Sequence, residues 1–178
     1  MKHLDIERID EWIGDLRAGD EVLLRGTVYT ARDAVHKRFV QMIEEEEPLP
    51  ITLSGAAIYY AGPTPEKNGL AVGSCGPTTS SRMDRHTPLL VQRGLRVMIG
   101  KGERSDAVVE AIKAARGIYF CAIGGAGALY ASRIKSCEVV AFGELGCESL
   151  KKMYVEDFPV IVGVDAFGGT VFDGGKRS

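Results

Sequence analysis

Apolar residues recur along this chain at two periods, and the period changes every ten to fifteen residues or so. In "IERIDEWIGDLRAGD", Ile9, Trp12, Ile13 and Leu16 fall at helical spacing and Gly19 ends the run, which predicts a short amphipathic helix. "EVLLRGTVYT" reads as a strand rich in Val, Leu and Thr. "ARDAVHKRFVQMIEEEE" predicts a helix with Ala34, Phe39 and Ile43 among its apolar positions, and its four glutamates are expected to fray against the helix dipole. "ITLSGAAIYYAGPTP" and "GLAVGSCGP" read as extended pieces, the first closed by a Gly62-Pro63 turn. "TTSSRMDRHTPLLVQRG" predicts a helix interrupted near Pro88, and "LRVMIG" a buried strand. "SDAVVEAIKAARG" predicts a helix capped by Ser105 or Asp106 and stopped at Gly117. "IYFCAIGG", "AGALYASRI" and "CEVVAFG" continue as strand, helix and strand, and "FPVIVGVDAFGGTVFD" closes with strands around a glycine turn. Without repeats or low-complexity linkers, this alternation predicts one α/β domain over residues 1–178, part of its sheet antiparallel or barrel-like.

Composition narrows the function. The 178 residues are 45% hydrophobic and 26% charged, as in ordinary soluble domains, and the net charge is -2. No basic face is present, so nucleic acid is not an expected partner. The longest apolar runs are glycine-broken and too short to span a bilayer. The N-terminus turns acidic within a few residues and lacks the apolar core of a signal peptide, so a cytoplasmic location is expected. Cys75, Cys121, Cys137 and Cys147 form no C-x-x-C pair and no Cys/His spacing typical of zinc, and no metal site is expected on this chain.

Candidate chemistry gathers in "GSCGPTTSSRMDRHTP", residues 73–88. Pro77 is suited to the first position of a helix. Amides left without acceptors there, the helix dipole and the hydroxyls of Thr78 and Thr79 would favour an anion. Arg82, four residues after Thr78, would return to the same face with its bidentate fork. The bland alternative is a capped helix with a solvated arginine. Arg32 and His36 are i, i+4 at a strand-to-helix junction and suit a second anionic group, although such pairs are common on exposed faces. Lys101 lies between two glycines directly after a buried strand, a usual place for a ligand, yet the P-loop pattern is absent. "GGAGALY" lacks the last glycine of a dinucleotide fingerprint and reads as close packing. Asp84, His86 and Glu144 are possible acid–base groups whose plainer reading is capping or surface. Together these residues suggest a small anion with at least two acidic groups, and half of an active site.

"TARDAVHKR", "IYYAGP", "GPTTSSRMD", "TPLLVQRGLRVMIGKG" and "EDFPVIV", in that order, resemble the β subunit of class I fumarate hydratase, the iron–sulfur hydro-lyases, with the L-tartrate dehydratase β subunit a close relative. The resemblance implies a swivelling β/β/α domain equivalent to the C-terminal part of the single-chain enzymes. It implies a partner α subunit carrying a [4Fe-4S] cluster, substrate between the two chains, and an α2β2 assembly. By motif, Arg32, Thr78, Arg82 and Lys101 correspond to substrate-contacting residues, with Thr79 and His36 as neighbours. The threonine matching Thr78 is the base proposed for the C3 proton of malate, a role that needs a strongly depressed hydroxyl pKa. Cluster iron would draw off the C2 hydroxyl as a Lewis acid. Ser81 stands where many relatives have glycine. Fumarate hydration is the expected reaction, tartrate dehydration its nearest rival, and a stand-alone anion-binding domain the alternative of a different class.

Overall fold

A computed structural model describes residues 1–172, so the expected strand end at Asp173 and the last residues of the expected domain lie outside the described residues. Seven strands form one sheet: β1 (Lys2–Asp5), β2 (Glu21–Thr30), β3 (Ala57–Tyr59), β4 (Val97–Gly100), β5 (Ile118–Cys121), β6 (Ile134–Ala141) and β7 (Leu150–Val164). Their order is β1-β2-β3-β4-β5-β7-β6, and β2 also pairs with β7. The last pairing closes β2, β3, β4, β5 and β7 into a ring. Strands β2 to β5 are parallel to their neighbours, and β7 runs antiparallel to both β5 and β2. The mixed, partly closed sheet expected from the sequence is therefore present. One edge of β2 serves two strands, with β1 on Val22–Arg25 and β3 on Tyr29–Thr30.

The parallel strands are short and apolar because both of their faces are covered. Tyr59, Ile99 and Phe120 point into one buried cluster with the N-terminal segment and Tyr130. Ile58, Met98 and Tyr119 point into the other, under helices α2 (Asp33–Glu44), α3 (Thr87–Gln92) and α4 (Asp106–Ala115). This alternation follows from the two-residue period of a strand. Helix α5 (Gly127–Arg133) lies before β6. Among the described residues, no helix is long and apolar enough to cross a membrane.

Several expected elements change form. The first helix is split into 3-10 turns around a single helical turn, α1 (Ile9–Trp12), although Ile9, Trp12, Ile13 and Leu16 are buried as their spacing predicts. So short a helix takes its geometry from packing, here helped by the Trp12 indole N–H donating to the Asp5 carbonyl at 2.8 Å. Residues 2–5, for which the pattern predicts no element, form strand β1. "GLAVGSCGP" is not a strand but an irregular loop, tied back by the Thr64 amide donating to the Ser74 carbonyl at 2.9 Å. No helix begins at Pro77: the turn starts at Ser80 (Ser80–Met83, 3-10), and Pro88 opens α3 rather than breaking it. In α4 the Ser105 hydroxyl accepts from the Val108 amide at 3.3 Å, as expected of an N-cap. The left-handed stop is Arg116 (φ 54°), one residue before the glycine expected to supply it. Gly117 is instead required by a close approach, since a Cβ there would lie 2.8 Å from the Arg96 carbonyl.

Candidate active site

Parallel strands β2 to β5 present their carboxyl ends on one rim, the usual place for a ligand in such sheets. Just beyond those ends stand Arg32 after β2, Gly62 after β3, Lys101 after β4 and Gly124 after β5. The loop bearing Thr78, Thr79 and Arg82 is laid across the same rim by its backbone. The Thr78 amide donates to the Tyr60 carbonyl at 2.7 Å, and the Ser80 amide to the Lys101 carbonyl at 2.8 Å. Thr79 and Lys101 form an isolated parallel bridge. The expected helix N-terminus is thus replaced by a bridged loop. Thr79 flanks the 3-10 turn, but its hydroxyl does not cap it.

The arginines are placed by contacts of their own. Arg32 is the N-cap residue of α2, and its Nη1 lies so close to Gly62 that a Cβ there would sit 2.7 Å away. Its Nε is buried without a hydrogen-bond partner and faces Glu148 Oε1 at 3.6 Å. Arg82 is half exposed, and its Nη2 meets Asp33 Oδ2 at 2.5 Å. Lys101 is exposed, with its stem against Gly124, where a Cβ would be 3.0 Å from Lys101 Cδ. Among the described residues no carboxylate pairs with Lys101. Three cations therefore face two carboxylates, and the surplus positive charge belongs to Lys101.

His36 does not join this surface. Its side chain has no exposure, so the open face expected to be shared with Arg32 does not form. Nδ1–H donates to the Arg32 carbonyl at 2.7 Å, the ring meets Tyr60 edge-on at 5.5 Å, and Nε2 is buried without a partner. Burial pushes its pKa from 6.5 down to about 4, against a smaller opposing effect of the Arg32 carbonyl. The imidazole is neutral and fixes the Arg32 backbone through that carbonyl.

Beneath the loop lies a buried polar support that sequence reasoning missed. Ser80 Oγ accepts the Lys101 amide at 2.9 Å and shares a hydrogen bond with the Tyr119 hydroxyl at 2.8 Å. A Cβ on Gly100 would fall 2.0 Å from that oxygen, which explains why β4 ends in glycine. Arg104, with a fully buried side chain, donates to Asp84 Oδ1 at 2.7 Å, Thr87 Oγ1 at 3.0 Å and the Tyr60 hydroxyl at 3.1 Å. Its guanidinium lies 4.7 Å from the Tyr119 ring centre and 5.2 Å from that of Tyr60.

A family model described as "Fumarase C-terminus" matches residues 1–175. The chain belongs to that family. As a fumarase C-terminus domain it is 38% identical over 169 residues to fumarate hydratase 2 of Leishmania major, covering 94% of this chain and 30% of that protein. It is 42% identical over 151 residues to the aerobic class I fumarate hydratase of Escherichia coli K12, covering 84% of this chain and 28% of the enzyme. Against the L(+)-tartrate dehydratase subunit beta of the same strain it is 35% identical over 172 residues, covering 94% of this chain and 84% of the subunit. The domain thus spans about 30% of the length of the fumarate hydratases it resembles.

The remaining candidates in this fumarase C-terminus domain have other partners. Asp84 binds Arg104, and its second oxygen accepts the Ser105 amide at 2.7 Å. Glu144 is exposed and pairs with Arg38 at 3.0 Å. His86 precedes α3 and its Nε2 accepts from Arg85 at 3.1 Å. "GGAGALY" packs closely as read, with the Gly127 carbonyl accepting the Cys75 amide at 3.2 Å. All four cysteines are free, and burial pushes the Cys75 thiol up to about 12. Among the described residues no group of three or more His, Cys, Asp or Glu could hold a metal ion.

Proposed function

We propose that this chain is the substrate-carboxylate-binding part of a hydro-lyase interconverting fumarate and (S)-malate. It would work with a separate cluster-bearing α chain, in the cytoplasm and as an α2β2 assembly. The observation that carries this reading is the meeting of Arg32, Thr78, Thr79, Arg82 and Lys101 on one rim, with surplus positive charge and two unused hydroxyls' worth of hydrogen-bonding capacity beside it. The described residues do not fit a [4Fe-4S] cluster, since no three suitable ligands converge.

This chain's own contribution is binding, orientation and proton handling. Arg32 and Arg82 offer planar forks to the two carboxylates of a four-carbon diacid. Asp33 and Glu148 aim those forks while leaving other N–H edges for the ligand. Removing the C3 proton of malate pushes electron density onto the adjacent carboxylate. Fixed cations stabilise that charge without having to reorganise. Thr78 is the proton acceptor, and the positive field of Arg82 and Lys101 favours its ionised form. A swivelling motion of the domain would carry this rim against the partner.

L(+)-tartrate is the second reading. It is favoured by the length relationship, because this chain covers 84% of the L(+)-tartrate dehydratase subunit beta but only about 30% of the fumarate hydratases. Anaerobic reconstitution with a cluster-bearing α chain decides between them, with fumarate followed at 240 nm from malate and tartrate run in parallel. Malate turnover that needs both chains supports the fumarase reading, and tartrate turnover the second. Turnover of neither, with an intact cluster, would leave a stand-alone anion-binding domain.

A further inference from the structure

Arg104 sits outside the rim, yet its buried guanidinium donates to three side chains and lies over two aromatic rings. Its fork reaches Asp84, two residues after Arg82, Thr87 at the start of α3, and the hydroxyl of Tyr60, whose carbonyl holds the Thr78 amide. Its face covers Tyr119, whose hydroxyl bonds Ser80 and so, through Ser80 Oγ, the amide of Lys101. One buried guanidinium therefore touches Asp84, Thr87, Tyr60 and Tyr119, which flank the loop carrying Thr78, Thr79 and Arg82 or connect it to Lys101.

Stability alone does not account for such a group. A buried ion pair repays little of its desolvation, and apolar residues of equal volume commonly do as well. Among the described residues Nη1 even lacks a partner, so the site is not optimised for net attraction. What a planar fork supplies and an apolar side chain does not is direction, since several donors are held at fixed angles. We propose that Arg104 is a positioning residue that sets the loop carrying Thr78, Thr79 and Arg82 in register with Lys101, with Ser80 as its relay to the β4 end. The proposal rests on the hydro-lyase reading for its catalytic consequence and on the geometry alone for its structural one.

The test uses Arg104→Lys, which keeps the charge and loses the fork, and Ser80→Ala, which removes a single buried oxygen. Each is made in the full chain and measured in two ways. In the reconstituted two-chain enzyme, both variants should lower kcat for malate by about 10–100-fold with a smaller change in KM, the scale of a misplaced reacting group. A merely structural role would lower the melting temperature and leave kcat per folded molecule unchanged. In the isolated chain, hydrogen exchange at the amides of Ser80 and Lys101 should speed up by about tenfold or more relative to the α4 amides. Parent-like kcat together with parent-like protection in both folded variants would overturn the proposal. If the parent chain itself gives no turnover with its partner, the function reading fails instead. The exchange measurement then decides the positioning role by itself: faster exchange in Arg104→Lys upholds it and unchanged exchange overturns it.

Discussion

Acid should destabilise this domain through His36. The imidazole is completely buried, its Nδ1–H is bonded to the Arg32 carbonyl at 2.7 Å, and Nε2 has no partner to share a second proton with. His86, 6.2 Å away ring to ring, and Arg104 both add to the cost of a positive charge there. Burial, the largest cause, brings its pKa from 6.5 to about 4. Because the folded value lies below the unfolded one, the unfolded chain takes the proton first. The stabilising effect is complete above pH 6.5, declines as the pH falls from 6.5 to 4, and is lost below that. The gap is equivalent to about 3 kcal/mol in all, most of it lost by pH 4.5. Urea unfolding followed by the fluorescence of the single tryptophan, Trp12, at pH 7.5 and 4.5 gives the number for the parent. His36→Phe keeps an aromatic ring against Tyr60 and cannot titrate, so the carboxylates that also respond to acid cancel in the comparison. The parent should lose about 2–3 kcal/mol more than the variant over that interval. Equal losses in the two proteins would refute the assignment of a neutral, strongly depressed His36.

Arg82→Ala should cost about 2.7–4 kcal/mol of transition-state stabilisation in the reconstituted enzyme. Its half-exposed pair with Asp33 limits the loss of stability to about 1 kcal/mol, so single-turnover rates and thermal melts should separate. Gly100→Ala puts a methyl group 2.0 Å from Ser80 Oγ and 2.6 Å from Tyr60 Cδ2; overpacking of this kind should cost about 1–3 kcal/mol in urea unfolding. Lys101→Met, which removes the cation without a carboxylate partner, should weaken malonate binding to the isolated chain and flatten its dependence on salt, as read by calorimetry. Iodoacetamide at pH 8 should label exposed Cys147 well before Cys75, whose buried thiol is pushed up to about 12, and peptide mapping shows the order.

Much of the architecture was legible because local rules and the fold agreed. Strands β2, β4 and β5 and helices α2 and α4 lie where periodicity and capping put them. The failures share a physical cause, which is that tertiary contacts replaced a local preference. Lys2–Asp5 is too short to show a period, and only the free edge of β2 makes it a strand. Pro77 has the right residue type for a helix start, but the Tyr60 and Lys101 carbonyls take the following amides first. At the rim, the position of Lys101 beside glycine was readable from the sequence. Ser80 and Arg104 were not, because a serine in a polar loop and an arginine in "GKGERSD" look solvated until the fold buries them. His36 misled for the opposite reason: its spacing from Arg32 fits an exposed pair equally well.

The ring is closed by two strands from opposite ends of the chain, with Glu21 opposite Ile161 and Thr27 opposite Tyr154. Pairings this remote in sequence are slow to find, because the entropy of closing the loop is paid before any contact rewards it. Until β7 arrives, β2 and β5 are open edges, and the rim that gathers Arg32, Thr78 and Lys101 has no fixed curvature. A growing chain therefore cannot assemble the proposed anion site piece by piece as its residues emerge. Ligand affinity should arise in a single late event, on the millisecond-to-second timescale of folds dominated by distant strand pairs.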